Sequence, residues 1–227
     1  MTQSTAAFTP KSLSAFKAVL WDMDGTLVDT EPLHKKSVQM VGDDIGFPVS
    51  DELCMKCLGV GYRFCYDTLQ NELGELPVSF EIWQEKVVQA YLKLTAEIET
   101  RPQAVEVVKH FHKHGIKQAI VTNSPRFVAE ANANGFLRFF ENPQEIFTFI
   151  ISADEMKRPK PEPDGYLQAV EKFGLQPQEC LVVEDSPTGL KSAIASDCFS
   201  IYWPSTHIKP ATDLQPDLVI QNWDEFL

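Results

Sequence analysis

Short apolar runs recurring between helical stretches constrain this chain more than any other feature. Ala18–Trp21, Gln118–Val121, Phe147–Ile151, Cys180–Val183 and Phe199–Trp203 are each too brief for a helix, and turn formers bound them. Leu218–Ile220 is a weaker candidate of the same kind. Between these runs the period lengthens. Val105, Val108 and Phe111 share one face between Pro102 and Gly115, and Tyr166–Phe173 stops at Gly174. Ser124-Pro125 and Ser186-Pro187 each place a capping residue before a proline suited to the first helical position. Strands alternating with helices of these lengths build a parallel sheet covered on both faces, the α/β class with a Rossmann-like core.

One block breaks the alternation. Leu33, Val38, Val41 and Ile45, then Tyr62, Cys65, Leu69 and Leu73, then Phe80, Trp83, Val87, Tyr91, Leu94 and Ile98 keep spacings of three and four with no strand among them. The block follows the first strand and precedes all the others, so it is expected to be an all-helical insertion. The expected division is a core from residues 15–30 and 100–227 and an inserted helical unit from residues 31–99. Cys54 and Cys57 fall inside it. No second Cys-x-x-Cys or His pair completes a zinc site, and the spacing sets both beside Leu53 and Leu58 on one helix face, so they read as packing.

In an open parallel sheet, ligands bind beyond the carboxyl ends of the strands. Asp22, Thr122, the loop with Lys157 and Lys160, and the Glu184-Asp185 pair each follow a different strand, so all fall on one edge. Asp22 and Asp24 stand one residue apart before Gly25, where both carboxylates could face the same way. Acids that close repel unless a cation or a shared proton intervenes, and a divalent metal is the obvious guest. A carboxylate such as Asp22 can attack phosphorus and divide a difficult displacement into two easier steps. Asp24 can then serve as general acid and base. Mg²⁺ suits a set of carboxylates such as Asp22, Glu184 and Asp185. Lys160 can neutralise a phosphoryl group, and Thr122 with the backbone N–H groups of Asn123 and Ser124 can donate to its oxygens.

The string Asp22-Met23-Asp24-Gly25-Thr26-Leu27-Val28-Asp29 resembles the signature of the haloacid dehalogenase superfamily, most of whose members are phosphatases. Thr122 resembles its second motif, Lys160 in Lys160-Pro161-Glu162-Pro163 its third, and Glu184-Asp185-Ser186-Pro187-Thr188-Gly189 its fourth. The four occur in order over about Phe16–Trp203. The resemblance implies a phosphoric monoester hydrolase with Asp22 as nucleophile and Asp24 as acid/base. It also implies Mg²⁺ held by Asp22, Glu184, Asp185 and the Asp24 backbone carbonyl. The insertion resembles the helical cap of β-phosphoglucomutase and of sugar-phosphate phosphatases. A Mg²⁺-dependent sugar-phosphate phosphatase is therefore expected, with a β-phosphoglucomutase-like mutase as the alternative. A dehalogenase has no need of Asp24, and a receiver-type phosphoacceptor would carry its acidic pair before the Thr and Lys.

Several assignments stay open on the sequence. Lys157 could replace Lys160, and Glu184 could stand behind the metal ligands. His34 either assists Asp24 or is a solvated helix residue, and Arg63 either clamps a distal substrate group or lies on the surface. Asp29 reads as the cap of the helix that follows. The connection Phe139–Ile146 is longer than is usual in the family, and Ser196-Asp197-Cys198 replaces its small Ala-Gly segment.

The net charge of −12, with no basic run, disfavours nucleic acid and anionic membranes as partners. Residues 1–14 lack the apolar core of a signal peptide, no run approaches a membrane span, and the five scattered cysteines fit reduced thiols. A cytoplasmic monomer acting on a small phosphorylated metabolite is expected.

Overall fold

The computed structural model describes residues 15–57, 61–205 and 213–227. They separate into two compact units, Met1–Val28 with Thr100–Leu227, and Asp29–Glu99.

The first unit is built on six strands. β1 (Ala18–Trp21), β4 (Lys117–Val121), β5 (Ile150–Ile151), β6 (Cys180–Glu184), β7 (Phe199–Tyr202) and β8 (Leu218–Val219) form one sheet in the order β5-β4-β1-β6-β7-β8. Every pairing is parallel. β2 (Val28–Asp29) and β3 (Glu99–Thr100), where the chain leaves and re-enters this unit, form a separate two-stranded pair. The register sets Trp21 level with Ile120 on one side and Val183 on the other, so the residues following these strands emerge side by side.

Four helices accompany the sheet: α5 (Ala104–Lys113), α6 (Arg126–Leu137), α7 (Asp164–Phe173) and α8 (Pro187–Ala195). Alternate strand residues serve opposite faces. Ala18, Leu20, Ala119, Val121, Cys180 and Val182 pack with Tyr166, Ala169, Val170 and Phe173 of α7 and Ala193 of α8. On the other face Trp21 meets Phe111 of α5 edge-on at 5.9 Å and Trp223 at 6.0 Å. Gln118 also lies on that face. It accepts from Trp21 Nε1 at 2.9 Å and donates to the Val108 carbonyl at 3.1 Å, so its buried amide is satisfied at both ends.

Several local expectations shift. α5 begins at Ala104, later than Pro102 suggests, and buries Ala104, Val107, Val108 and Phe111 while Val105 is only half-buried. Gln103 at its start has φ 68°, a left-handed conformation. The Phe147–Ile151 run contributes only two strand residues, although Thr148 N already bonds the Gln118 carbonyl. Ser124 does not cap α6; that helix starts at Arg126 with Pro125 before it, and the Ser124 hydroxyl is engaged elsewhere. Ser186 does cap α8, accepting from Gly189 N at 3.1 Å.

The second unit contains α1 (Glu31–Asp44), α2 (Asp51–Met55), α3 (Tyr62–Leu73) and α4 (Phe80–Leu94). Its core joins Val38, Val41, Leu53, Cys54, Cys65, Leu69, Trp83 and Val87. Ser50 and Ser79 cap α2 and α4 by accepting from Leu53 N and Ile82 N. Thr30, not Asp29, occupies the capping position of α1, because Asp29 is the last residue of β2. Cys57 lies past the end of α2 but still packs against the core that buries Cys54, and Leu58 lies outside the described residues. All five cysteines are free thiols. Among the described residues no helix is long and apolar enough to cross a membrane.

Candidate active site

At the carboxyl end of β1 the chain turns through Asp22, Met23, Asp24 and Gly25, and three neighbouring segments converge on it. Asp22 is buried. One of its oxygens accepts from Lys160 Nζ at 2.6 Å. The same ammonium donates to Glu184 Oε1 at 2.7 Å and to the Val121 carbonyl at 2.8 Å, so its three protons are all engaged. Lys160 is 6% exposed whereas Lys157 lies on the surface, which separates the two lysines the sequence left open.

Glu184 is fully buried at the end of β6. Its Oε1 also accepts from the Tyr166 hydroxyl at 2.5 Å, while Oε2 has no hydrogen-bond partner. Asp185 is buried too, and its Oδ2 is likewise unpartnered. Each of Asp22, Glu184 and Asp185 offers an oxygen within 4.8 Å of those of the other two. Close packing builds this cluster. A side-chain carbon on Gly189 would fall 1.9 Å from Glu184 Oε2, and one on Gly25, at φ 85°, would fall 2.2 Å from Asp185 Oδ2. Both positions therefore require glycine.

The electrostatics follow from burial. Desolvation, then the neighbouring Glu184, push the Asp22 carboxyl up to about 7, against the pull of Lys160. Desolvation, with Asp22 and Glu184 beside it, also raises Asp185. Burial works against the charge on Lys160, but Asp22 and Glu184 together outweigh it and hold the ammonium above its ordinary value. If all three carboxylates give up their protons, one ammonium leaves two negative charges in excess. A divalent cation fits that excess, and the two unpartnered carboxylate oxygens are hard donors of the kind it takes.

Asp24 is held differently. Thr122 Oγ1 and Ser124 Oγ donate to its Oδ2 at 3.0 and 2.8 Å, and Asn132 Nδ2 donates to Oδ1 at 2.9 Å. Ser124 N donates to Thr122 Oγ1, so the Thr122 hydroxyl proton and that backbone N–H are both engaged. The Asn123 side chain has a separate task. Its side chain pairs in both directions with the Lys160 backbone, at 3.0 and 2.9 Å, and so fixes the lysine-bearing loop, whose Lys160–Pro161 bond is cis.

His34 and Arg63 belong to the helical unit. There His34 stacks on Tyr91 at 4.3 Å, and Arg63 is exposed, paired with Asp67 and lying over Phe80.

A sequence model described as haloacid dehalogenase-like hydrolase matches residues 16–197. The chain belongs to this hydrolase family. Among haloacid dehalogenase-like hydrolases it is 29% identical over 187 residues to the phosphorylated carbohydrates phosphatase of Thermotoga maritima, spanning 82% of this chain and 84% of that one. It is 32% identical over 188 residues to hexitol phosphatase A of Escherichia coli K12, spanning 82% of each. Its fold is similar to that of CbbY from Rhodobacter sphaeroides, crystallised with phosphate, with a TM-score of 0.77 at 24% identity over 92% of this chain and 96% of that one. The superfamily resemblance drawn from the four motifs is thus borne out.

Asn132, Tyr166 and Arg101 of this haloacid dehalogenase-like hydrolase, and the side-chain role of Ser124, escaped the sequence reading. Asn132, Ser124 and Tyr166 each bond one of the motif carboxylates. Arg101 donates to the carbonyls of Gly25, Trp203 and Pro204 at 2.8, 2.6 and 2.6 Å and lies 4.0 Å over the Trp203 ring. Only Ser124, inside the second motif, carried a signal that could have found it.

Proposed function

We propose that this hydrolase is a magnesium-dependent phosphatase that dephosphorylates a small metabolite, a sugar phosphate above all. The observation that carries this is the buried Asp22 carboxylate, bonded to Lys160 and flanked by two acids with unpartnered oxygens. The substrate class rests on the sugar-phosphate relatives whose names are given above.

In this scheme the Asp22 carboxylate attacks phosphorus and forms an aspartyl-phosphate as the alcohol leaves. Asp24 gives its proton to the leaving oxygen, then accepts one from the water that attacks the aspartyl-phosphate, releasing inorganic phosphate. Lys160, 2.6 Å from Asp22, offsets negative charge gathering on the transferring group. The Thr122 hydroxyl, now on Asp24, is a single rotor away from serving a phosphoryl oxygen instead. Asp22, Glu184, Asp185 and the Asp24 carbonyl would hold magnesium, whose chemistry is to neutralise phosphoryl oxygens with a hard, oxygen-seeking charge.

A phosphate-release screen over phosphorylated sugars, nucleotides and glycolytic intermediates, run with Mg²⁺ and with the Asp22→Asn variant, tests the scheme. Release that depends on Asp22 and favours sugar phosphates is expected. Full activity in Asp22→Asn removes the nucleophile assignment, and isomerised sugar phosphate without phosphate release points to mutase chemistry. Alanine substitutions at His34 and Arg63 that leave KM unchanged remove those two from substrate binding.

A further inference from the structure

We infer that Asn132, which lies outside every recognised motif, is a positioning residue for the carboxylate of Asp24; this rests on Asp24 being the acid and base of the proposed reaction. Asn132 is fully buried in the middle of α6, on the face that also buries Val128, Ala129, Ala133 and Phe136. An aliphatic side chain would serve that face better. Asparagine is a poor helix former, and burying an amide costs free energy unless it is hydrogen-bonded. Its bond to Asp24 Oδ1, 2.9 Å long, supplies that partner across 108 residues of chain.

The two oxygens of Asp24 are treated unequally. Oδ1 meets an amide N–H, whose direction is fixed once the helix and the side chain are in place. Among the described residues Oδ2 meets only the hydroxyls of Thr122 and Ser124, which are free to rotate. A phosphoryl group arriving beside the second motif competes for those two hydroxyl protons and draws them from Oδ2. Oδ2 is then available to carry a proton while Oδ1 stays pinned. Asn132 thus fixes the plane of the carboxylate and selects the oxygen that exchanges the proton with the leaving group.

Leaving groups distinguish this role from simple packing. 4-Nitrophenolate departs without a proton, whereas the alkoxide of a sugar phosphate needs one. Single-turnover rates, with the Mg²⁺-loaded enzyme in excess, are measured on 4-nitrophenyl phosphate and on fructose 1-phosphate for the wild type, Asn132→Leu, Asn132→Ala and Asp24→Asn. Both substrates are run on the same preparation, so a partly folded variant lowers both rates together and leaves their ratio intact. The expected result is that both Asn132 variants and Asp24→Asn slow fructose 1-phosphate at least tenfold more than 4-nitrophenyl phosphate. In Asp24→Asn/Asn132→Leu the second change should add nothing to that ratio. Equal losses on the two substrates in the Asn132 variants, with the split kept in Asp24→Asn, overturn the role of Asn132 alone. Equal losses in Asp24→Asn overturn the acid/base assignment and this inference with it; if the wild type does not turn over fructose 1-phosphate, the sugar phosphate it hydrolyses in the release screen takes its place.

Discussion

Lys160 and Asp22 are 138 residues apart in sequence, yet the ammonium of one lies 2.6 Å from a carboxylate oxygen of the other, and both are buried. Removing one partner of a buried, hydrogen-bonded charge pair costs about 3–5 kcal/mol, because the other charge stays uncompensated. In Lys160→Met the loss should be largest above neutral pH, where the Asp22 carboxylate would have no ammonium beside it, and should shrink at pH 5 as Asp22 takes up a proton. Urea melts at the two pH values check this, and phosphate release should fall to background at both.

The raised Asp22 carboxyl gives the metal-free protein an unusual pH profile. Its folded pKa of about 7 lies above the ordinary 3.8, so between these values the folded chain holds a proton that the unfolded chain has lost. Stability from this group is therefore complete below about pH 4 and declines as pH rises to about 7, by on the order of a few kcal/mol. Subtracting the melting profile of Asp22→Asn from that of the wild type isolates the effect. Adding Mg²⁺ should flatten the difference curve from its alkaline end, and an unchanged curve would count against a cation at these acids.

Gly189→Ala tests the packing that shapes the acidic cluster. The added methyl would overlap the Glu184 carboxylate, whose nearest atom is 1.9 Å away, and Glu184 is too buried to swing clear. Overpacking of this kind costs about 1–3 kcal/mol. Calorimetric titration with Mg²⁺ should show weaker binding, because the oxygen that must move is an unpartnered one.

Gln103 offers a test remote from the chemistry. It adopts a left-handed conformation, yet its side chain accepts from Trp223 N at 2.7 Å and donates to Asp224 at 2.5 Å. Gln103→Gly loses these bonds but relieves backbone strain of about 1–2 kcal/mol, so its stability should stay near that of the wild type. Gln103→Ala loses the bonds and keeps the strain, and should melt at the lowest temperature of the three. An alanine variant more stable than the glycine one would show that the strain is absent.

The parallel sheet and the acidic edge were readable in the sequence because both follow from local patterns. Buried strands such as Ala18–Trp21 and Cys180–Glu184 are continuous apolar runs, and each ends in the polar residue it delivers. What could not be read depends on partners distant along the chain. Ser124-Pro125 suits a helix cap locally, but Pro125 is itself extended and α6 begins at Arg126, which leaves the Ser124 hydroxyl to donate to Asp24. Asn132 sits among apolar helix residues, and its purpose is visible only once α6 lies beside the turn after β1. The motif suggests a role for the Asn123 backbone N–H but gives no sign that its side-chain amide holds the backbone of the Lys160 loop, 37 residues on.

The sheet order places β1 between β4 and β6, with Ala18 level with both Lys117 and Cys180. β1 therefore has no neighbour in the sheet until about a hundred further residues have left the ribosome, and none on its other flank until about 160 have. Pairings that close such long loops are slow to form. During that interval the apolar Ala18–Trp21 segment lacks the strands that cover its edges, and refolding yield should respond to conditions that shield it.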